Sequence, residues 1–329
     1  MKVIDILNNA EKTVFSFEII PPLRGSSVET IYNAIEPLMD FNPPHINITY
    51  HRDEVEYRTD TDGTIKKIVT TKRPGSVALA AAIMKRFKVE VVPHLLCAGA
   101  TKYELENDLI DLNFLGIENV FALRGDASKN AAQNVSQSAE AKIAEFKPEQ
   151  GGHRYASELV EQIYALNNGQ YLDTTLKDPA PTNFCTGVAG YPEKHYEAAS
   201  IEVDIENLKR KIDAGAEYIV TQLFFDNSKF FDFVNRCRAA GITVPVIPGL
   251  KPISTAKHLE LLPKTFSIDI PEDLIKEVQS ASDVTAVRKI GVEWAVMQSK
   301  ELIAAGAPAV HYYSMGKSDN IVEIAKRVF

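Results

Sequence analysis

A chain of 329 residues with 45% hydrophobic and 24% charged side chains can bury a sizeable core, which excludes a disordered tail, a fibrous repeat or a disulfide-stapled miniature. Its net charge of −8 argues against a nucleic-acid or anionic-membrane partner, because both select a basic face, and it leaves a small molecule as the expected partner. Cys97, Cys185 and Cys237 are far apart in sequence, and no apolar stretch reaches the roughly 20 residues of a bilayer span. A reducing cytoplasm, with no disulfide framework, zinc spacing or targeting segment, is therefore the expected setting.

Along the chain, short apolar, β-branched runs alternate with amphipathic helical segments, the pattern of parallel strands joined by helical crossovers. The predicted strands are 14–20, 45–50, 90–96, 119–124, 184–189, 218–225, 244–250 and 309–313. Thr101 and Glu104 fit a capping box opening a helix over 103–115, and Gly116 follows as its stop. Residues 127–152 are polar and read as a surface excursion after the fourth strand, and 168–182 read as a second polar loop before the fifth. In 201–214 the residues Ile201, Ile205, Leu208 and Ile212 fall on one face, as an outer helix requires. A long helix over 284–305 precedes the last strand, and 320–329 closes the chain as a helix. Eight alternations predict an α/β fold, a single-domain (β/α)8 TIM barrel. The competing doubly wound sheet more often carries a GxGxxG turn after its first strand, and this chain has none.

A barrel carries its active site at the carboxyl ends of its strands, so polar residues there hold most of the functional information. Glu18 lies inside the apolar FSFEIIPP, where desolvation opposes ionisation, and it is the leading general-acid candidate. The bland alternative is a salt bridge to a barrel arginine such as Arg124. Arg124 and Asp126, two apart, could instead neutralise each other. His94, after Pro93, could be a satisfied core histidine. Asp204, Asn207 and Lys211 share a helix flank that would ordinarily be solvated. The histidines have no metal-ligand spacing and no GxSxG elbow occurs, so neither a catalytic metal nor a serine nucleophile is expected. Lys251, after the seventh strand, is the one lysine placed for a Schiff base if the barrel were a lyase or aldolase. A silent folate- or nucleotide-binding barrel is the other rival.

Taken in order, FSFEIIPP, NITY, PHLLC, ALRGD, YASELV, AGYPEKH, ENLKRKIDAGAEYIVTQLFFD and VIPGLKPI resemble the motif series of the methylenetetrahydrofolate reductase family, up to the final strand HYYSMGK. The resemblance implies one flavin-binding catalytic barrel over 1–329. That barrel would hold FAD, accept hydride from NADH or NADPH, and convert 5,10-methylenetetrahydrofolate to 5-methyltetrahydrofolate, a step of one-carbon metabolism and methionine biosynthesis. It implies that Glu18 protonates folate N10, that Asp126 faces both pterin and flavin, and that Gln222 meets folate and nicotinamide in turn. It implies FAD contacts from Thr49, Tyr50, His94, Arg124, Gly125, Asp126, Tyr155, Ala156, Tyr191, His195, Asp204, Asn207 and Lys211, against the solvated-face reading of the last three. The chain departs from many bacterial members at His258 and Leu262, which replace a glutamine and a phenylalanine. It departs again at Met315-Gly316-Lys317, which replaces Leu-Asn-Arg and implies Lys317 as a point charge for a folate carboxylate. A homo-oligomer is expected, without the C-terminal regulatory domain of eukaryotic members.

Overall fold

A computed structural model describes residues 1–51, 54–126, 146–314, 316 and 318–329. Eight parallel strands form the barrel: β1 Val14–Ile19, β2 His45–Ile48, β3 Glu90–Leu96, β4 Asn119–Leu123, β5 Cys185–Gly190, β6 Tyr218–Thr221, β7 and β8 Ala309–Tyr313. Strand β7 is split by Pro248, which has no N–H for the ladder, into Val246–Ile247 and Gly249–Leu250. Its first half pairs with β6 and its second half with β8, while β8 pairs with β1 over five residues, so the sheet closes on itself. This is the predicted barrel. Strands β2 and β6 stop short of their predicted ends, so Thr49, Tyr50 and Gln222 lie on the rim just past the ladder.

Alternation along each strand separates two cores. Phe15, Phe17, Ile46, Ile48, Leu95, Val120, Val188, Ile219 and Tyr312 pack outward with helix residues such as Ile83, Leu109, Ile163 and Leu208. Val14, Val92, Phe121, Cys185, Tyr218, Val220, Ile247 and Ala309 pack together inside the barrel. The floor of that interior is α1 (Val3–Asn9), whose Val3 and Leu7 join the inner core. Asn119 ties α1 down, accepting from the Val3 N–H at 2.7 Å and donating to the Met1 carbonyl at 3.0 Å. The sequence reading has no helix here, because seven residues hold too few apolar positions to display a period.

The outer layer comprises α2 (Glu29–Ile35), α3 (Ser76–Phe87), α4 (Lys102–Phe114), α5 (Ala156–Asn167), α6 (Ile201–Asp213), α7 (Asn227–Ala239), α8 (His258–Phe266), α9 (Glu272–Ser280), α10 (Val284–Ala304) and α11 (Asp319–Val328). The predicted capping box is present on α4: Thr101 accepts from the Glu104 N–H, and the Glu104 carboxylate accepts from the Thr101 N–H. On α6, Ile205 and Leu208 are buried and Ile201 and Ile212 pack against the core, as the periodicity predicts. The helical pattern before β8 is preceded by two further helices, α8 and α9, which build a satellite core around Leu262, Leu274 and Val287. An antiparallel hairpin, Glu54–Thr59 with Ile65–Thr70, also goes beyond the sequence reading. Its charged, mixed strands hide the period-two signal, although the turn between them carries an Asp62-Gly63 pair. The loop 168–182 is held in place rather than free: Leu172 N–H donates to Glu106, Tyr171 Oη to the Ala180 carbonyl, and Thr182 Oγ1 to Asn167. Of the first excursion, 127–145 lie outside the described residues, as do Met315 and Lys317.

Candidate functional site

Glu18 projects into the barrel one position before the end of β1, directly opposite Tyr313 on β8 and Asn47 on β2. Its Oε2 lies 3.6 Å from His94 Nε2, and Asn47 Nδ2 lies 3.4 Å from the same nitrogen. Burial pushes the Glu18 carboxyl up to about 8, with Lys251 acting the other way. Burial pushes His94 down to about 3, with His51 adding to the shift. The contact near neutral pH is therefore between a carboxylic acid and a neutral imidazole, because neither partner recovers its lost hydration by ionising. The salt-bridge alternative for Glu18 does not hold, since the guanidinium of Arg124 pairs with Glu197, while His94 is a buried histidine that faces the Glu18 carboxyl as well as Phe121, whose ring centroid is 4.9 Å away.

Room for this rung depends on Gly249. A Cβ there would stand 2.3 Å from the Thr221 carbonyl oxygen and 2.6 Å from the Tyr313 hydroxyl, so only glycine lets Tyr313 cross the barrel mouth. The Tyr313 hydroxyl donates to that Thr221 carbonyl at 2.5 Å, and burial drives its ionisation well up.

A second cluster lies at the ends of β4 and β5. Besides its ion pair with Glu197, the Arg124 guanidinium lies over the Phe146 ring at 4.9 Å. The Glu197 N–H donates to His195 Nδ1 at 3.2 Å, the His195 N–H donates to Asp204 Oδ2 at 2.8 Å, and Tyr191 meets the His195 ring edge-on at 4.7 Å. Lys211 Nζ donates to the Ala189 carbonyl at 2.5 Å; burial pushes it down to about 8 while Asp204 opposes the shift. Asp204 is buried and Lys211 half-buried, so the flank of α6 is not the solvated face that spacing alone suggested. Arg124, His195 and Lys211 thus gather cationic or donor groups within one network, a donor set that fits a diphosphate.

The other predicted residues surround these clusters. Thr49 Oγ1 donates to the Ile19 carbonyl at 3.2 Å, and Tyr50 is the next residue along the rim. Gly125 has φ 82°, and a Cβ there would meet that of Ala98 at 2.8 Å, so the turn after β4 presses closely on the end of β3. Asp126 is exposed and makes no ion pair with Arg124, so the two do not neutralise each other directly; its charge is felt at Tyr191 and Tyr196. Tyr155 is the N-cap of α5 and half-exposed, its carbonyl accepts from Cys97 Sγ, and Ala156 begins that helix. Asn207 is half-buried and accepts from Arg210 at 2.9 Å, while Gln222 Oε1 accepts from the Leu223 N–H at 2.9 Å. His258 Nδ1 accepts from the Ser254 N–H, and Leu262 packs in the satellite core. Lys317 lies outside the described residues.

Four neighbours of the predicted site were not on the sequence-based set: Asn47, Tyr313, Glu197 and, as a neighbour of Glu18, Lys251. Asn47 and Tyr313 were detectable in principle, as inward-phase positions on their strands. Glu197 carries no local pattern that points to Arg124, since their pairing is long-range.

The family model for methylenetetrahydrofolate reductase matches residues 2–328. The 5,10-methylenetetrahydrofolate reductase of Escherichia coli (strain K12) is 32% identical over 305 residues, covering 92% of this chain and 86% of that protein. Methylenetetrahydrofolate reductase 1 of Schizosaccharomyces pombe is 30% identical over 320 residues, covering 97% of this chain, which spans only 46% of the yeast protein. Among solved structures, an uncharacterized protein from Clostridium thermocellum that binds two copies of 5-methyl-5,6,7,8-tetrahydrofolic acid superposes with a TM-score of 0.56 at 14% identity, over 98% of this chain and 97% of that one, a likeness of fold alone. With the motif series, the barrel and the match along nearly its whole length together, this chain belongs to the methylenetetrahydrofolate reductase family.

Proposed function

We propose that the chain, acting as one catalytic barrel over 1–329, reduces 5,10-methylenetetrahydrofolate to 5-methyltetrahydrofolate with NADH or NADPH as reductant and FAD as resident carrier. The observation that carries this reading is Glu18, a carboxyl buried against His94 at the carboxyl ends of the barrel strands, where burial favours its acid form. When bound, a flavin would supply the two-electron hydride chemistry linking nicotinamide and folate in a ping-pong sequence.

Opening the five-membered ring of the substrate breaks the bond from the bridging carbon to N10, and an amide-like anion is too poor a leaving group to depart unprotonated. Glu18 delivers the proton to N10 as the iminium forms at N5. His94, neutral beside it, orients the carboxyl without adding charge. Asp126 binds the amide and amino edge of the pterin, and Gln222 turns its amide toward folate or nicotinamide as each occupies the same face. Arg124, His195 and Lys211 hold the diphosphate, with Thr49, Tyr50, Gly125, Tyr155, Ala156, Tyr191, Asp204 and Asn207 lining the remainder. Lys317 takes a carboxylate of the folate tail. The three cysteines, all buried thiols, suit a reducing cytoplasm.

Anaerobic mixing tests the reading: NADH or NADPH should bleach the bound flavin, and one equivalent of 5,10-methylenetetrahydrofolate should restore its colour and yield one equivalent of 5-methyltetrahydrofolate. Bleached flavin that the folate leaves unoxidised would refute it. A second reading is favoured by Lys251, whose ammonium burial pushes down to about 8, as a Schiff-base amine requires. Borohydride trapping of a carbonyl substrate on Lys251 would select that reading instead.

A further inference from the structure

Lys251 is the residue after Leu250 on β7. Leu250 pairs with Tyr312, and the next residue of β8, Tyr313, stands directly opposite Glu18. Lys251, Tyr313 and Glu18 therefore continue one rung across three neighbouring strands at the barrel mouth. Lys251 is only 8% exposed. Among the described residues its ammonium has no hydrogen bond and no ion pair, while Tyr313 beside it donates to Thr221 and His258 accepts from Ser254. The stem of Lys251 is buried while its ammonium is not among the buried atoms without a partner, so the charge is partly desolvated yet keeps access to solvent at the barrel mouth.

Among the described residues the charged and titratable groups around the pair are few. Tyr313 and its neighbour Tyr191 are held neutral by burial, His94 with His51 behind it faces Glu18 from β3, and His258 on α8 faces Lys251. Among the described residues the group that draws charge onto Lys251 is Glu18, and burial opposes ionisation of both. Two forms of the pair, acid with amine and carboxylate with ammonium, carry the same net charge and the same number of protons. A proton can pass between them without changing the charge of the pocket.

We propose that Lys251 is a positioning residue for Glu18, keeping the pocket neutral when Glu18 has given up its proton and returning a proton to it before the next turnover. The proposal rests on Glu18 being the proton donor. In the donation step the Glu18 O–H breaks as the N10–H bond forms, leaving a carboxylate two strands from the Lys251 ammonium, across Tyr313. In the return step a Lys251 N–H breaks as a solvent water at the barrel mouth takes that proton and gives one of its own to Glu18, whose O–H re-forms, and the amine regains its proton from bulk solvent.

The test uses the flavin-loaded protein and two variants, Lys251→Met and Lys251→Arg, each checked for flavin binding and circular dichroism. The carboxylic acid band of Glu18, assigned by its loss in Glu18→Gln, is titrated by infrared difference spectroscopy without turnover. Lys251→Met should shift that titration upward by about one pH unit or more, a tenfold change in ionisation. Lys251→Arg keeps the cation but cannot release a proton, so it should hold the titration near the wild-type position while later turnovers slow relative to the first. A Glu18 titration that Lys251→Met leaves unmoved would overturn the proposal, as would full multiple-turnover rates in Lys251→Arg. Misfolding of the methionine variant would leave the arginine variant to decide. Failure of the underlying reading looks different: Glu18→Gln would then slow both half-reactions equally, whatever the Lys251 variants do.

Discussion

Replacing Glu18 by Gln should separate the two halves of the reaction. Hydride transfer from nicotinamide to flavin takes no proton from the protein, so positioning alone sustains it. Folate reduction needs N10 protonated, and removing a positioned general acid costs ~10²–10⁴-fold. The structure adds a reason for the size of the effect. With its carboxyl pushed up to about 8 rather than the ordinary 4.5, Glu18 is mostly protonated at pH 7, whereas an unperturbed glutamic acid would be almost wholly ionised. Gln keeps the shape and the contact with His94 but has no acidic proton. Stopped-flow absorbance would follow bleaching by NADH in one mix and reoxidation by 5,10-methylenetetrahydrofolate in another. Wild-type reoxidation should fall as pH rises through about 8, because only the acid form donates. Equal slowing of both steps in Glu18→Gln, or a flat wild-type profile from pH 6 to about 9, would refute the reasoning.

The same residue makes a stability prediction with a definite sign. Unfolded Glu18 ionises from about 4.5 upward while the folded residue resists until about 8, so wild-type stability is lost as pH rises across that window. Glu18→Gln should match wild type below pH 4.5 and exceed it by on the order of 2–4 kcal/mol near pH 8, read from urea unfolding at both pH values. Gly249→Ala should destabilise by about 3 kcal/mol, because the Thr221 backbone it would strike cannot swing aside as a side chain could. Chemical denaturation with an unchanged midpoint would contradict the packing of Tyr313. Asp126→Asn should weaken folate binding and raise the flavin potential, since a negative charge nearby disfavours the reduced anionic ring. A potential that falls or stays put would show that the exposed Asp126 carboxylate does not face the ring.

The barrel was legible because parallel strands buried on both faces read as short apolar runs, and capping boxes such as Thr101 with Glu104 are local in sequence. Glu18 was legible for the same reason, as a carboxyl in a run with no other charge. What escaped was set by chain geometry rather than by local pattern. The floor helix around Val3 is too short to show a period, and the hairpin near Gly63 interleaves charges. Arg124 and Glu197 meet across 73 positions. Lys251 was visible as a lysine at a strand end, but only the register of β7 on β8, and of β8 on β1, brings it level with Glu18. The flank of α6 is instructive in the other direction: spacing of Asp204 and Lys211 suggested water, and the fold turned that flank toward the ends of β4 and β5.

The central claim, a flavin carried by this barrel for folate reduction, is tested most directly by the visible absorption spectrum of the purified protein together with the mass of the cofactor released by heat. The account predicts an oxidised-flavin spectrum and FAD in the supernatant, the diphosphate being what Arg124, His195 and Lys211 are proposed to hold. A colourless protein that takes up no flavin when FAD is added, or one that releases FMN alone, would contradict it.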